Sequence, residues 1–79
     1  MSILNDLTYQ AVTTKGLEHK MAIQGLRSYI KTRTNREMLG DIRNISRQDQ
    51  LKALWEAGLN TELQQAVLRR LEELATRRT

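Results

Sequence analysis

Cysteine and proline are both absent from this 79-residue chain. Without cysteine there are no disulfide bonds and no thiolate metal sites. Without proline, the strongest breaker of helices is missing. Phenylalanine is absent too, valine occurs only at Val12 and Val67, and no run alternates convincingly between apolar and polar residues, so strand signals are nearly lacking. These absences favour an all-α fold, in a single small domain spanning residues 1–79.

Long apolar runs and clustered catalytic side chains are also missing. No run approaches the roughly 20 residues of a membrane span, and the N-terminus has neither a basic flank nor a long apolar segment. We therefore expect a cytoplasmic protein with no membrane partner. The four glycines are scattered rather than clustered, and His19 is the only histidine, expected on the surface. The sequence predicts no enzyme, cofactor, metal site or small-molecule substrate.

Apolar residues that return every three or four positions predict five short helices. The first two are expected over about 3–13 and 17–31, and the third over about 34–44, opened by a capping box of Thr34 and Glu37. The fourth begins after Ser46 and ends at Gly58, and the fifth runs from the cap Asn60 to about Ala75. Ser2 is a candidate cap for the first helix. Short connections between them predict either HEAT-like helical hairpins or a compact orthogonal bundle.

An amphipathic stretch recurs about 45 positions along the chain, where residues 20–26 align with 65–71. A period in the forties is typical of two-helix repeats, with candidate units at 3–31 and 46–76. Within 41–74, residues 41–55 resemble the first helix of a HEAT-type repeat and residues 61–71, with their A-V-x-x-L pattern, resemble the second. This resemblance implies an exposed helical face that binds protein or nucleic acid.

The favoured function is a non-catalytic interaction module that binds a protein partner or itself. A chain this short buries only about 60% of its unfolded surface, so dimerisation or docking would supplement a small core. We expect the contact surface on the exposed flank of the last two helices. Its candidate anchors are Trp55, Leu59 and Leu68. Trp55 also fits the buried face of the fourth helix, and Leu68 lies on the flank of the apolar stripe of the fifth.

The alternative function is a nucleic-acid-binding accessory protein. Residues 27–47 contain six cationic side chains and two acidic ones. The whole chain has a net charge of +4, and residues 76–79 form a basic tail. The candidate contacts to nucleic acid or another anion are Arg33, Arg36, Arg43 and Arg47, since arginine suits bidentate phosphate binding. The competing interpretation is a solvated face partly paired with acidic neighbours. A helix-turn-helix over 51–70 is a further possibility, with the fifth helix reading DNA.

Two glycines fall inside predicted helices, where glycine costs about 1 kcal/mol relative to alanine. These are Gly25 and Gly40. The expected reason is a close approach between two helices, or else a local kink.

Overall fold

Five α-helices form the protein, whose computed structural model describes residues 3–76. The helices are α1 (Ile3–Thr13), α2 (Leu17–Lys31), α3 (Asn35–Arg43), α4 (Gln48–Ala57) and α5 (Thr61–Thr76), and no strand forms within this range. The all-α prediction is confirmed, with boundaries close to those expected. Ser2 and residues 77–79 of the basic tail lie outside the described residues.

Local capping chemistry accounts for most of the helix ends. Thr34 accepts a hydrogen bond from the Glu37 amide at 3.2 Å, and the Glu37 carboxylate accepts one from the Thr34 amide at 3.1 Å, which completes the predicted capping box. Asn60 caps α5 through the amide of Leu63. Gly16 and Gly58 both have positive φ, at 65° and 100°, where a residue with a side chain would be strained.

The predicted cap of α4 is wrong by one residue. Arg47, not Ser46, occupies the N-cap position, and no side chain caps the helix. Asp49 instead accepts the Gln50 amide at 2.8 Å and pairs with Arg47 at 2.7 Å. Ile45, two residues before this N-cap, is fully buried, and Arg47 itself has an extended backbone.

Two helical hairpins and one inserted helix make up the architecture. The first hairpin is α1 with α2, and the second is α4 with α5. Helices α1 and α4 lie side by side in the same direction, since Gln50 reaches Asn5 and Thr8 near both starts. Short α3 packs mainly against α5 rather than against its chain neighbours. The radius of gyration of 11.9 Å matches the ~12 Å of a compact domain of this length.

The core combines aliphatic side chains from all five helices with one polar bridge. Its largest fully buried members are Leu4, Leu26, Met38, Ile42, Ile45, Leu51, Leu54, Leu63 and Val67. Gln50, 2% exposed, donates from Nε2 to the Asn5 carbonyl at 2.9 Å and to the Thr8 hydroxyl at 3.1 Å. That hydroxyl in turn donates to the Leu4 carbonyl at 2.9 Å, so the buried polar groups satisfy one another.

Several expectations about side-chain burial need correction. Trp55 does not lie on the buried face of α4, since 43% of it is exposed, whereas Leu68 of α5, expected on the flank of its stripe, is 50% exposed. Gly25 and Gly40 do not mark close helix contacts, because a Cβ at either position would meet no heavy atom within 4 Å. Trp55 and Leu68 lie near the edges of the apolar stripes of their helices, where tertiary packing decides whether a side chain is exposed.

The HEAT-type resemblance stays a prediction. Stacked hairpins would pack first helices together, as α1 and α4 do, and would also pack second helices together. Here the main neighbour of α5 is α3 instead of α2. Within residues 3–76, no helix combines the length and apolar character needed to cross a bilayer.

Candidate interaction surfaces

The sole tryptophan borders an open groove between α4 and the α1–α2 hairpin. This groove, the Trp55 groove, has a volume of about 380 Å³. Its apolar lining is Val12, Ala53 and Trp55, and its charged lining is His19, Asp49, Lys52 and Glu56. Protein–protein contacts likewise combine apolar and polar side chains.

His19 connects three helices at the edge of this groove. Its Nδ1 lies 2.7 Å from the Ala11 carbonyl oxygen at the end of α1, and its Nε2 lies 2.8 Å from the Glu56 carboxylate on α4. Both ring nitrogens therefore face acceptors, which only the imidazolium satisfies by donating from each. The Ala11 carbonyl, followed by Glu56, raises the pKa of His19 above its ordinary value of 6.5. The predicted surface histidine is thus a bridge between helices.

The other two predicted anchors have different environments. Leu59, between α4 and α5, is partly buried and packs against the core. Leu68 projects from the exposed side of α5. Leu59 therefore contributes mainly to the fold, whereas Trp55 and Leu68 retain apolar surface that a partner would cover.

Two of the four predicted anion contacts are occupied by acidic neighbours. Arg33 lies 2.9 Å from Glu37 and 3.2 Å from Asp41, and its guanidinium stacks 5.4 Å from the centre of the Tyr29 ring. These contacts fix Arg33 against the surface that α2 and α3 share. Thr34, through its amide and hydroxyl, followed by Arg33, lowers the pKa of Glu37 below its ordinary value.

Arg47 is also paired. Its guanidinium lies 2.7 Å from Asp49 and 5.7 Å from the centre of the Tyr9 ring, although more than half of the side chain is exposed. An exposed pair of this kind is weak, about 0–1 kcal/mol, so an anion competes with Asp49 for Arg47 more easily than with the two partners of Arg33.

The remaining two predicted contacts are free of acidic partners within residues 3–76. Arg36 and Arg43 are exposed on α3 and form no ion pair there. Their spacing of seven residues places them on one side of the helix, two turns apart. That side of α3 therefore carries an uncompensated positive charge.

A second groove, which sequence reasoning missed, lies between α3 and α5. This groove, the arginine groove, has a volume of about 120 Å³. Its basic lining is Arg43, Arg69 and Arg70, and its apolar lining is Leu39, Ile42 and Ala66. Arg70 is only 12% exposed in its side chain and donates from Nε to the Ile45 carbonyl at 2.9 Å. The one acidic lining residue, Glu73, lies 3.6 Å from Arg70. Only the pairing of α3 with α5 brings these arginines together.

The first turn of α5, which a recognition helix would present to DNA, contacts α3. The Asn35 amide donates to the Glu62 carboxylate at 2.7 Å and the Asn60 amide donates to Asn35 at 2.9 Å. Both hydrogen bonds occupy polar side chains that a recognition helix would need free in order to bind DNA bases.

No cluster of three or more His, Asp or Glu side chains able to hold a metal ion occurs in the described part of the chain. No protein-family model matches the sequence, and neither a curated protein nor a solved structure matches it. The function is therefore argued from the two grooves and the charges around them.

Proposed function

We propose that this protein is a non-catalytic helical interaction module that binds another protein, or a second copy of itself, through the Trp55 groove. The observation that carries the proposal is the exposure of the chain's only tryptophan at the edge of a groove in a small domain. A domain of this size has few large apolar side chains for its core. A large apolar side chain that lies outside the core, such as that of Trp55, therefore supports a role in binding.

Residue chemistry supports this surface as a binding site. Tryptophan is enriched among the residues that dominate protein–protein binding energy, and such residues lie in patches ringed by groups that exclude water. The Trp55 groove is lined by polar groups as well, among them the His19–Glu56 pair and Lys52. Part of the same proposal is a cytoplasmic location, which fits the lack of cysteine.

A nuclease-treated pull-down combined with sedimentation velocity tests the proposal. We expect either self-association that grows with concentration or capture of a protein partner, and Trp55→Ser should abolish whichever occurs. The matched control is Met21→Ser. It removes another exposed apolar side chain, which belongs to α2 and does not line the Trp55 groove. Association that survives Trp55→Ser would contradict the proposed surface, and a strict monomer without any protein partner would contradict the function.

A second candidate function is nucleic-acid binding through α3, favoured by the two unpaired arginines Arg36 and Arg43. Contacts of this type hold the phosphate backbone without reading sequence. Reversing both charges, in R36E/R43E, should weaken binding alike for all sequences and make the salt dependence shallower by about two units of logarithmic slope. The charge-matched control is K15E/K20E. If no binding occurs at about 50 mM salt, where phosphate contacts are strong, this candidate fails.

A further inference from the structure

The arginine groove gathers more positive charge than its own carboxylate balances. Three guanidinium groups line it, and Glu73 is its only acidic lining residue. Arg43 and Arg69 have no acidic partner within residues 3–76, and Glu73 sits at a long 3.6 Å from Arg70. Like charges held together repel one another, so an anion between them would be stabilised.

The groove is also preorganised for such an anion. Arg70 is largely buried, and its Nε is already held by the Ile45 carbonyl. Folding has therefore already ordered this long side chain, which lowers the entropy cost of binding an anion. Leu39, Ile42 and Ala66 add apolar walls to the groove, and walls of low dielectric constant strengthen the attraction of the arginines for an anion.

Size and donor geometry narrow the class of ligand. A groove of about 120 Å³ holds a few water molecules at about 30 Å³ each, and therefore a compact oxyanion in their place. Guanidinium groups bind phosphate oxygens with paired, parallel hydrogen bonds. From these features we propose that the arginine groove is a binding site for a phosphate group, with Arg43 and Arg69 closing on the oxygens and Arg70 as the fixed side.

This site is independent of the Trp55 groove and of the protein-binding function. Its phosphate has two possible sources, a small phosphorylated molecule or the backbone of a nucleic acid. Only the second source overlaps with the nucleic-acid function proposed for α3. The two proposed sites still differ in their residues, because Arg69 belongs to the arginine groove and Arg36 does not.

An NMR titration with inorganic phosphate, at constant ionic strength, tests the site, and a labelled single-stranded oligonucleotide provides a second arm. We expect saturable shifts confined to amides near 39–43 and 66–73. R43A/R69A should weaken binding about tenfold or more, because it removes two charge-assisted contacts. K15A/K20A, which removes the same charge elsewhere, should bind as the wild type does.

Glu73→Gln provides a gain-of-binding test. Removing the competing carboxylate frees Arg70, so phosphate should bind several-fold more tightly, which general damage to the fold would not produce. Saturable binding of inorganic phosphate supports a small phosphorylated ligand, and binding of the oligonucleotide alone supports a backbone phosphodiester. The site is overturned if neither probe saturates, or if R43A/R69A and K15A/K20A affect binding equally.

Discussion

His19 illustrates how a single side chain joins several elements. Its two ring nitrogens are directed at acceptors on α1 and α4, while the residue itself belongs to the first turn of α2. Folding therefore favours the protonated ring. The pKa of His19 is raised above 6.5, chiefly by the Ala11 carbonyl and then by Glu56, so protonation is linked to stability.

We predict that the contribution of His19 to the free energy of unfolding decreases as the pH rises. A group with a raised folded pKa stabilises fully below its unfolded value, near 6.5, and loses this effect as the pH passes its folded pKa. Urea unfolding of wild type and His19→Gln, compared between pH 5.5 and 9, measures the difference, and histidine NMR gives the pKa directly. A difference that stays constant with pH would refute the linkage.

Gln50 is the second residue whose chemistry spans elements. We predict that Gln50→Ala lowers the free energy of unfolding by about 1–3 kcal/mol, because it removes the hydrogen bonds to Asn5 and Thr8 and leaves space in the core. Gln65→Ala, at an exposed position on α5, should change it by less than about 0.5 kcal/mol. Equal effects in urea unfolding would show that the buried bridge contributes nothing.

At the scale of elements, α3 depends on its ends. It has nine residues, which is too few for a stable isolated helix, so its cap and its packing on α5 maintain it. We predict that Thr34→Ala costs about 1 kcal/mol of stability through loss of the capping box. Ser28→Ala, at an exposed position on α2, is the control. Chemical denaturation that gave the two variants equal stability would contradict the role of the cap.

The glycines separate into two groups with opposite expected behaviour. Gly25→Ala and Gly40→Ala should each stabilise the protein by up to about 1 kcal/mol, because both sites are helical and a Cβ meets nothing there. Gly58→Ala should destabilise it, since φ at Gly58 is 100°. Melting temperatures of the three variants test this prediction. A lower melting temperature for Gly25→Ala or Gly40→Ala would show that something other than the space around the Cβ requires glycine there.

The elements were predictable from the sequence to the extent that local chemistry determines them. The Thr34–Glu37 and Asn60 caps predicted the starts of α3 and α5 closely, because each cap bonds to an amide only three residues away. Periodicity predicted the bounds of α1 and α2. The start of α4 was misplaced by one residue, because Ser46 fits a capping pattern whereas Arg47 occupies the N-cap position without any side-chain cap. The pairing of Arg33 with Glu37 was one of the two interpretations that the sequence allowed, and it forms across the start of α3, since Arg33 precedes the N-cap Thr34.

At the scale of the whole molecule, the two grooves depend on contacts that sequence periodicity does not contain. The arginine groove exists because α3 packs on α5, and Arg69 and Arg70 then meet Arg43 across 26 or more positions of sequence. The Trp55 groove joins α4 to the α1–α2 hairpin in the same way. The composition indicated apolar anchors and surplus arginines, whereas their grouping into sites required tertiary structure.

Quenching of Trp55 fluorescence by acrylamide tests the central claim most directly. Trp55 is the only tryptophan, so the signal comes from the proposed surface alone. In the free monomer its 43% exposure predicts efficient quenching. On binding of the captured partner, or on self-association, the account predicts a blue-shifted emission and marked protection from the quencher. A complex that forms while Trp55 remains as accessible as in the monomer would contradict it.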